Sequence, residues 1–419
     1  MKVLLVNANT YRFPPVPPIG LEHVAASAER GGHEIRVVDL CFSDEPRRDM
    51  DSAIAEFNPD VVGLTVRNID TALFRDNEFF LDAVKELVGH IKKRYNLRVI
   101  IGGSGVAADP EGVLDYVQAD YALVGPGEDR VNELLGQIER SGDFPRISRR
   151  TYRYEISCPR SRRGIDYGRY FDQGGLAGFQ THKGCGSSCV YCIEANTNVS
   201  FRAVPEVIDE IREFTSAGVR RFHLCDSEFN EDIDYCIDFL GALKEARLGI
   251  DWAVYMKPAN YNKKLFRLMK ETGVSLITLT VDSWKKCSLY YSDIEKIIFI
   301  ARSCGLRTVV DFLGGFPYED ENTLVWYLDL FRRLQPDSVN VNTFIRLYRN
   351  LPITKIIMSD PELKRKLLGF TGGEGLLRPV FYNHVDAARL RELIGGDRIF
   401  RVEGTGKGVN YSRIRWVCP

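Results

Sequence analysis

The chain has 419 residues, 44% of them hydrophobic and 27% charged, with 56 basic and 57 acidic residues giving a formal net charge of −1. That length exceeds one ordinary core, so two or three domains are expected. The balanced charge gives no global attraction to nucleic acid or an anionic membrane, and no apolar run approaches the roughly 18 residues of a bilayer helix.

The opening "MKVLLVNANT" reads as a strand and is too short and too soon polar for a secretory leader. The expected location is therefore the cytoplasm, where ten cysteines serve as thiols or metal ligands rather than disulfides. Strands then read as "KVLLVNA" (2–8), "HEIRVVDL" (33–40), "DVVGLTV" (60–66), "RVIIGGSG" (98–105) and "DYALVG" (120–125), with helix-length segments such as "IGLEHVAASAERGG" between them. They are Val/Ile/Leu-rich without strict alternation, the mark of a parallel sheet covered on both faces. Residues 1–143 are thus expected to form an α/β, doubly wound, Rossmann-like domain whose ligand lies beyond the carboxyl ends of the strands. Those ends carry Asn7 in "NAN", Arg67 and Asn68 in "VRNID", Gly102, Gly103, Ser104 and Gly105 in "GGSG", and Gly125, Gly127 and Glu128 in "GPGE". Their Gly and Asn content allows close backbone approach to a ligand.

A connector follows at 144–175. Its stretch 146–170 holds eight arginines and four tyrosines against two acids. Such a mixture could grip a single-stranded nucleic acid. No other element supports that, and a solvated linker across a domain junction is the expectation. A second alternating series fills 176–350, with strands "LAGFQTH", "RFHLCDS", "IDWAVYM", "SLITLTVDS", "RTVVDFLGG" and "SVNVNTFIRL". About six β/α units make a partial (β/α)6 barrel rather than a full eight. The C-terminal extension, 351–419, weakens into glycine runs, "GFTGGEG" and "GTGKGVN", that match neither a phosphate loop nor a dinucleotide fingerprint and read as loops.

After the first barrel strand comes "THKGCGSSCVYCIEANT" (181–197), which places Cys185, Cys189 and Cys192 within eight residues. A disulfide would strand one thiol. A structural zinc site wants a fourth ligand, for which His182 and Glu194 are the near candidates. An iron–sulfur cluster accepts three thiolates and leaves one iron open, and the loop sits at the end where such barrels keep their chemistry. Cys41, Cys158, Cys236, Cys287 and Cys304 stand singly and read as small core residues or inert thiols.

"KGCGSSCVYC", with the aromatic Tyr191 before the third cysteine, resembles the signature of radical S-adenosylmethionine (SAM) enzymes. "PPIGLEHVAASAERGGHEIRVVDL", "NPDVVGLTVRNID" and "IIGGSGVAADPEGVLDYVQADYALVGPGE" resemble the cobalamin-binding domain that precedes the barrel in one large subfamily. The resemblance covers roughly residues 1–350. It implies a [4Fe–4S] cluster on Cys185, Cys189 and Cys192, with SAM chelating the fourth iron and cleaved to methionine and a 5′-deoxyadenosyl radical. It also implies SAM contacts from Tyr191, from Asp226, Ser227 and Asn230 in "LCDSEFN", from Asp282 and Ser283 in "TVDS", from Gly314 and Gly315 beside adenine, and from Arg346 to a carboxylate. The "GGE" at 372–374 lies after the barrel and is not the SAM motif it imitates.

Two departures bear on the first domain. No histidine lies in the D-x-H-x-x-G pattern of many cobalamin proteins, and His33 merely opens the second strand. Cobalamin is therefore expected without a histidine lower ligand, with Arg67 approaching the lower face. Pro126 replaces a more usual acidic residue in "GPGE". The expected function is a cobalamin-dependent radical SAM C-methyltransferase acting on a small molecule, served by an electron donor such as flavodoxin or ferredoxin. The alternatives are a rearranging or cyclising enzyme of the same architecture, a tRNA-modifying enzyme, and a non-catalytic zinc or cobalamin binder. Cys418, near the C-terminus, is not expected to reach the site.

Overall fold

The structure is a computed structural model that describes residues 1–140, 142, 144–149, 160–369 and 375–402. Cys158, Cys418, the "GGE" at 372–374, the run at 404–410 and the centre of the basic connector lie outside the described residues.

The first domain holds strands β1 (Lys2–Asn7), β2 (Glu34–Asp39), β3 (Val61–Thr65), β4 (Arg98–Gly102), β5 (Tyr121–Val124) and β6 (Ile147–Arg149) in one sheet of order β2-β1-β3-β4-β5-β6. Every pairing is parallel. The order reverses between β1 and β3, so a crevice opens at their carboxyl ends. Helices α1 (Ile19–Arg30), α2 (Pro46–Phe57), α3 (Leu81–Tyr95), α4 (Ser104–Ala108), α5 (Pro110–Val117) and α6 (Val131–Glu139) cover the sheet. Two buried clusters flank it: Leu4, Val62, Leu64, Val99 and Ile101 face α2, α3 and α5, whereas Val3, Leu5 and Val61 face α1 and α6. Strand β6 extends this sheet into the stretch expected to be linker.

After α7 (Tyr167–Asp172) the barrel begins with β7 (Ala177–Phe179), followed by a two-stranded ribbon of β8 (His182–Lys183) and β9 (Ser200–Phe201). Helix α8 (Val204–Ser216) then leads to β10 (Arg221–Leu224), α9 (Ile233–Ala246), β11 (Asp251–Met256), α10 (Lys263–Glu271), β12 (Val274–Asp282), α11 (Ser288–Ser303), β13 (Arg307–Leu313), α12 (Glu321–Leu334) and β14 (Ser338–Asn342). A small antiparallel sheet of β15 (Ile345–Arg346), β16 (Leu367–Leu368) and β17 (Phe381–Tyr382) follows, and β18 (Phe400–Val402) pairs parallel with β14. Among the described residues the barrel sheet therefore has seven strands, and the last comes from the C-terminal extension, between the glycine runs that read as loops. Its apolar content is only Phe400 and Val402, too little for periodicity to register.

Helix starts have local causes. Asp232, Asn262 and Asp320 each accept a backbone N–H three residues on, at the first turns of α9, α10 and α12. Helix α8 buries Val207, Ile208, Ile211 and Phe214 at helical spacing against Phe222 and Leu224 of the sheet. The opposite face of the sheet is different. An apolar floor of Ala253, Leu276 and Val309 gives way toward the carboxyl ends to Tyr255 opposite Thr278 and to Thr280 opposite Asp311, itself opposite Asn340. Closed barrels usually fill these layers with Val, Ile and Leu; here the inner face is polar above its floor.

Candidate active site

The ribbon β8/β9 is the stem of the cysteine loop. Gly184 turns at φ +87°, and a Cβ there would lie 2.1 Å from the Asn198 carbonyl, so no side chain fits. Thr197 closes the loop by accepting from the Cys185 N–H (2.9 Å) and donating its own N–H to the Cys185 carbonyl (3.1 Å). Asn196 N–H reaches the Ser187 carbonyl at 2.8 Å, and Cys192 N–H reaches Cys189 at 3.2 Å.

All three thiols are free; Cys185 is buried and the others half-buried. Burial raises the pKa of each, that of Cys185 to about 11. A metal must therefore displace their protons on binding. Among the described residues, no three Cys, His, Asp or Glu side chains are gathered to hold one metal ion. Three free thiols on one tied loop are the soft donors that an iron–sulfur cluster takes, whereas a structural zinc wants four protein ligands.

Side chains from the strand ends surround the loop. Tyr191 donates its hydroxyl to Asp282 at 3.2 Å, and the Lys285 ammonium lies 3.7 Å from the Cys189 sulfur. Ser227 donates to Glu194 on the loop. Glu231 accepts the Gly186 N–H (3.2 Å) and pairs with Lys257 at 2.6 Å. Glu228 accepts from Thr280 at 2.6 Å while its second oxygen has no hydrogen-bond partner among the described residues, and burial raises its carboxyl to about 7. Thr197, Glu228, Glu231 and Lys285 were not singled out in the sequence. Their only signal there was position beside a strand end or the cysteine loop.

Several residues expected to contact a ligand are hydrogen-bonded within the chain. Arg346 directs its guanidinium to Asp70 and to the carbonyls of Leu347, Leu376 and Leu377, in four hydrogen bonds and a buried ion pair. Asn230 donates to the Lys257 and Ala259 carbonyls and accepts the Lys257 N–H. Asp226 accepts the Thr181 and His182 N–H groups and the Thr181 hydroxyl, and lies 3.2 Å from His182 Nδ1. Ser283 donates to Glu319 at 2.6 Å. Gly314 and Gly315 are buried, and their missing side chains make room for Phe312 and Val385 of this chain. Tyr191 and Ser227 remain at the loop, and Asp282 organises it.

In the first domain Asn7 also turns inward, donating to Asp39 (2.8 Å) and Tyr170 (3.2 Å). Glu128 is bound to Lys183 of the β8 stem. The glycines Gly103 and Gly105 bring β4's turn against the Val66 carbonyl, where Cβ atoms would sit at 2.6 and 2.9 Å. Asn68, Gly103 and Ser104 stay exposed at the carboxyl edge, while Gly102, Gly125 and Gly127 are half-buried there.

That edge faces the barrel. Glu128–Lys183, Asp70–Arg346 and Asp109–Arg349 (3.3 Å) cross the seam, and Ile193 packs on the first domain's core directly after Cys192. The basic connector contributes too. Arg160 is buried, pairing with Glu22 of α1 at 2.6 Å and Glu210 of α8 at 2.7 Å, which replaces the solvated linker expected there. Arg67 lies close enough to barrel residues to act on them. His223 falls to about 4 through burial, with the Arg67 charge adding to it, and Arg67 also opposes the burial that raises Cys225. The domain's histidines are elsewhere: His23 inside α1, His33 beside the N-terminal amine and His90 on Asp51. An exposed edge bearing glycines and an asparagine beside a cation has room for a flat, polar-fringed ligand such as a corrin.

Comparison with known proteins agrees with this division. Residues 8–135 match the B12 binding domain family and residues 179–331 match the Radical SAM superfamily. The chain is 23% identical to the tryptophan 2-C-methyltransferase of Streptomyces laurentii, covering 88% of this chain and 76% of that protein. It is 22% identical to the hopanoid C-3 methylase of Methylococcus capsulatus, covering 82% and 70%. The radical SAM methyltransferase TsrM of Kitasatospora setae, solved with tryptophan and a SAM analogue, superposes with a TM-score of 0.85 at 23% identity over 98% of this chain and 93% of that one. Two domain assignments thus stand side by side: a B12-binding domain and, after it, a radical SAM domain. No helix among the described residues is long and apolar enough to cross a membrane.

Proposed function

We propose that this chain, a B12-binding domain followed by a radical SAM domain, is a cobalamin-dependent methyltransferase that transfers a methyl group from SAM to a carbon of a small molecule. One observation carries the reading: the carboxyl edges of the two parallel sheets confront each other. The cysteine loop lies on one, and Arg67, Asn68, Gly103 and Ser104 lie on the other. The names of the relatives, a tryptophan C-methyltransferase and a hopanoid methylase, support methylation of carbon without selecting a substrate.

When bound, the cluster supplies single electrons to the sulfonium of SAM, and cobalamin carries the methyl group between SAM and substrate. The chain's own residues do the positioning. Cys185, Cys189 and Cys192 hold the cluster, and Thr197, Glu231 and Asp282 keep their loop in shape through the Cys185 N–H, the Gly186 N–H and the Tyr191 hydroxyl. The buried pairs across the seam fix the spacing of the two cofactor sites and exclude water from their edges. Arg67 would present a cation without a lone pair at the edge where cobalamin would be held. The polar inner face, with the unpartnered oxygen of Glu228, accepts hydrogen bonds from what enters the barrel. An external one-electron donor, a flavodoxin or ferredoxin, belongs to the same reading.

The test is anaerobic reconstitution followed by iron, sulfide and cobalt analysis and incubation with methyl-labelled SAM and candidate substrates. Methylation yields labelled product and S-adenosylhomocysteine. Deoxyadenosine and methionine without labelled product would assign the chain to rearrangement or cyclisation instead, and protein that binds no cobalamin would sink both versions.

A further inference from the structure

Lys285 is held with more care than a surface lysine needs. It follows β12 by three residues, and both ends of its backbone are tied. Its N–H donates to Asp282 Oδ1 at 3.1 Å, and its carbonyl accepts the Tyr327 hydroxyl at 3.3 Å. The same Tyr327 hydroxyl also reaches the Asp282 carbonyl at 3.3 Å, and the Asp282 N–H donates to the Tyr290 hydroxyl at 3.0 Å. Two tyrosines from the covering helices α11 and α12 therefore set where this turn begins. The side chain passes the Tyr290 ring, with its ammonium 5.5 Å from the ring centre, and ends at Cys189.

Among the described residues the ammonium has a sulfur and a carboxylate oxygen within 4 Å, with the Glu228 carboxyl farther off, and the two distances separate their roles. It is 3.7 Å from the Cys189 sulfur, within the range of an N–H···S contact to that larger atom. It is 3.8 Å from Asp282 Oδ2, beyond a hydrogen bond to oxygen. Asp282 is nearly fully buried and spends Oδ2 on the Tyr191 hydroxyl, on the loop that carries the cysteines. One carboxylate thus steadies the cysteine loop and the turn bearing the cation, while the cation itself points to the sulfur.

We infer that Lys285 sets the reduction potential of the cluster by donating a charged N–H to the Cys189 thiolate. This rests on the reading that Cys185, Cys189 and Cys192 hold an iron–sulfur cluster. Reduction adds one electron to the cluster, delivered by the external donor, with no proton or bond change in the chain. The reduced state carries one more negative charge. A fixed ammonium at one ligand sulfur stabilises that state more than the oxidised one, because hydrogen bonds to sulfur and local net charge govern such potentials. Lys285 thereby makes the electron for SAM easier to load. The neighbouring Lys286 is exposed and has no such contact.

The test is an anaerobic redox titration followed by electron paramagnetic resonance, on reconstituted protein whose iron and sulfide are counted first. At the wild-type midpoint, Lys285→Met lowers the ratio of reduced to oxidised cluster about tenfold, which is about 59 mV for one electron. Lys285→Arg stays within about twofold of wild type and Lys286→Met does not move. Asp282→Asn shifts the midpoint the other way, since it leaves the ammonium uncompensated; general damage to the site would not reverse sign between the two variants. A Lys285→Met protein with full cluster and a wild-type midpoint overturns the inference and leaves the cluster assignment intact. If Lys285→Met loads poorly, Lys285→Gln against Lys285→Arg decides, and equal midpoints for those two overturn it. Wild-type protein that takes up no iron and sulfide overturns the functional reading itself.

Discussion

Arg346, just beyond the last inner strand of the barrel, and Asp70, just beyond β3 of the first domain, form a fully buried ion pair at 2.9 Å. They are 276 positions apart in the chain. Around them Phe74 stacks on Phe344 at 4.5 Å, so one aromatic layer also spans the seam. The arginine thereby ties the barrel to the first domain.

Breaking that pair from one side leaves a buried charge without its counterion. Asp70→Asn is expected to cost about 3–5 kcal/mol. Denaturant unfolding measures it, and proteolytic nicking between the domains should appear before either domain unfolds. A loss below about 1 kcal/mol would mean that the pair is wetter than its burial indicates.

Arg160 poses the same problem with two carboxylates. Arg160→Met leaves Glu22 with the Tyr167 hydroxyl at 2.6 Å and no cation among the described residues, and Glu210 with Arg202 at 2.9 Å. The expected loss is again about 3–5 kcal/mol. Converting Glu22 to Gln in the same chain should recover part of it. Urea midpoints of the two variants check the sign of that coupling.

Serine in place of Cys185, Cys189 or Cys192 should abolish cluster loading while far-ultraviolet circular dichroism stays unchanged. Replacements that only disturb a ligand's surroundings cost about 10–100-fold in metal affinity or activity, so losing a ligand should exceed that. Iron removal by a chelator should stop SAM turnover without releasing cobalamin. Zinc at one equivalent per chain in wild-type protein would argue for the ion instead.

Arg67→His puts an imidazole on the B12 edge in place of the cation, and His223 of the barrel serves as its control. If the B12 edge holds cobalamin as proposed, the cobalt(II) electron paramagnetic resonance signal should gain nitrogen hyperfine structure in the variant and lack it in wild type. Methyl transfer should fall in parallel.

His223 supplies a pH test. Burial, with Arg67 adding to it, lowers its pKa to about 4. Between about pH 6.5 and 4 the unfolded chain therefore takes up a proton that the folded chain refuses, and stability present above 6.5 is lost as pH falls through that window. The contribution is about 3 kcal/mol. Apo wild type should lose that much more than His223→Gln between pH 7 and 4, measured by urea unfolding at each pH.

Much of this protein was legible from residues alone. The five Val/Ile-rich runs announce a doubly wound domain because parallel strands covered on both faces cannot alternate. Cys185, Cys189 and Cys192 marked a soft-metal loop because three thiols in eight residues seldom stand together without a ligand, and resemblance to the radical SAM signature implied the cluster. The seventh barrel strand was not legible: Phe400–Val402 is three residues long and earns its place only by pairing with β14.

The individual ligand residues were the least legible. Composition and position made Asp226, Asn230 and Arg346 look available, since polar residues at strand ends are where ligands bind. Whether a side chain is available depends on how many of its donors and acceptors the fold has already taken, and those partners are dispersed along the chain. Arg346 is taken by Asp70, Asn230 by Lys257, and Asp226 by Thr181 and His182. Lys285 was invisible for the same reason, because 96 positions separate it from the sulfur it meets. Local pattern determined which chemistry the chain carries. Only tertiary structure decided which polar groups remain free to perform it, because a hydrogen-bonding group can be spent only once.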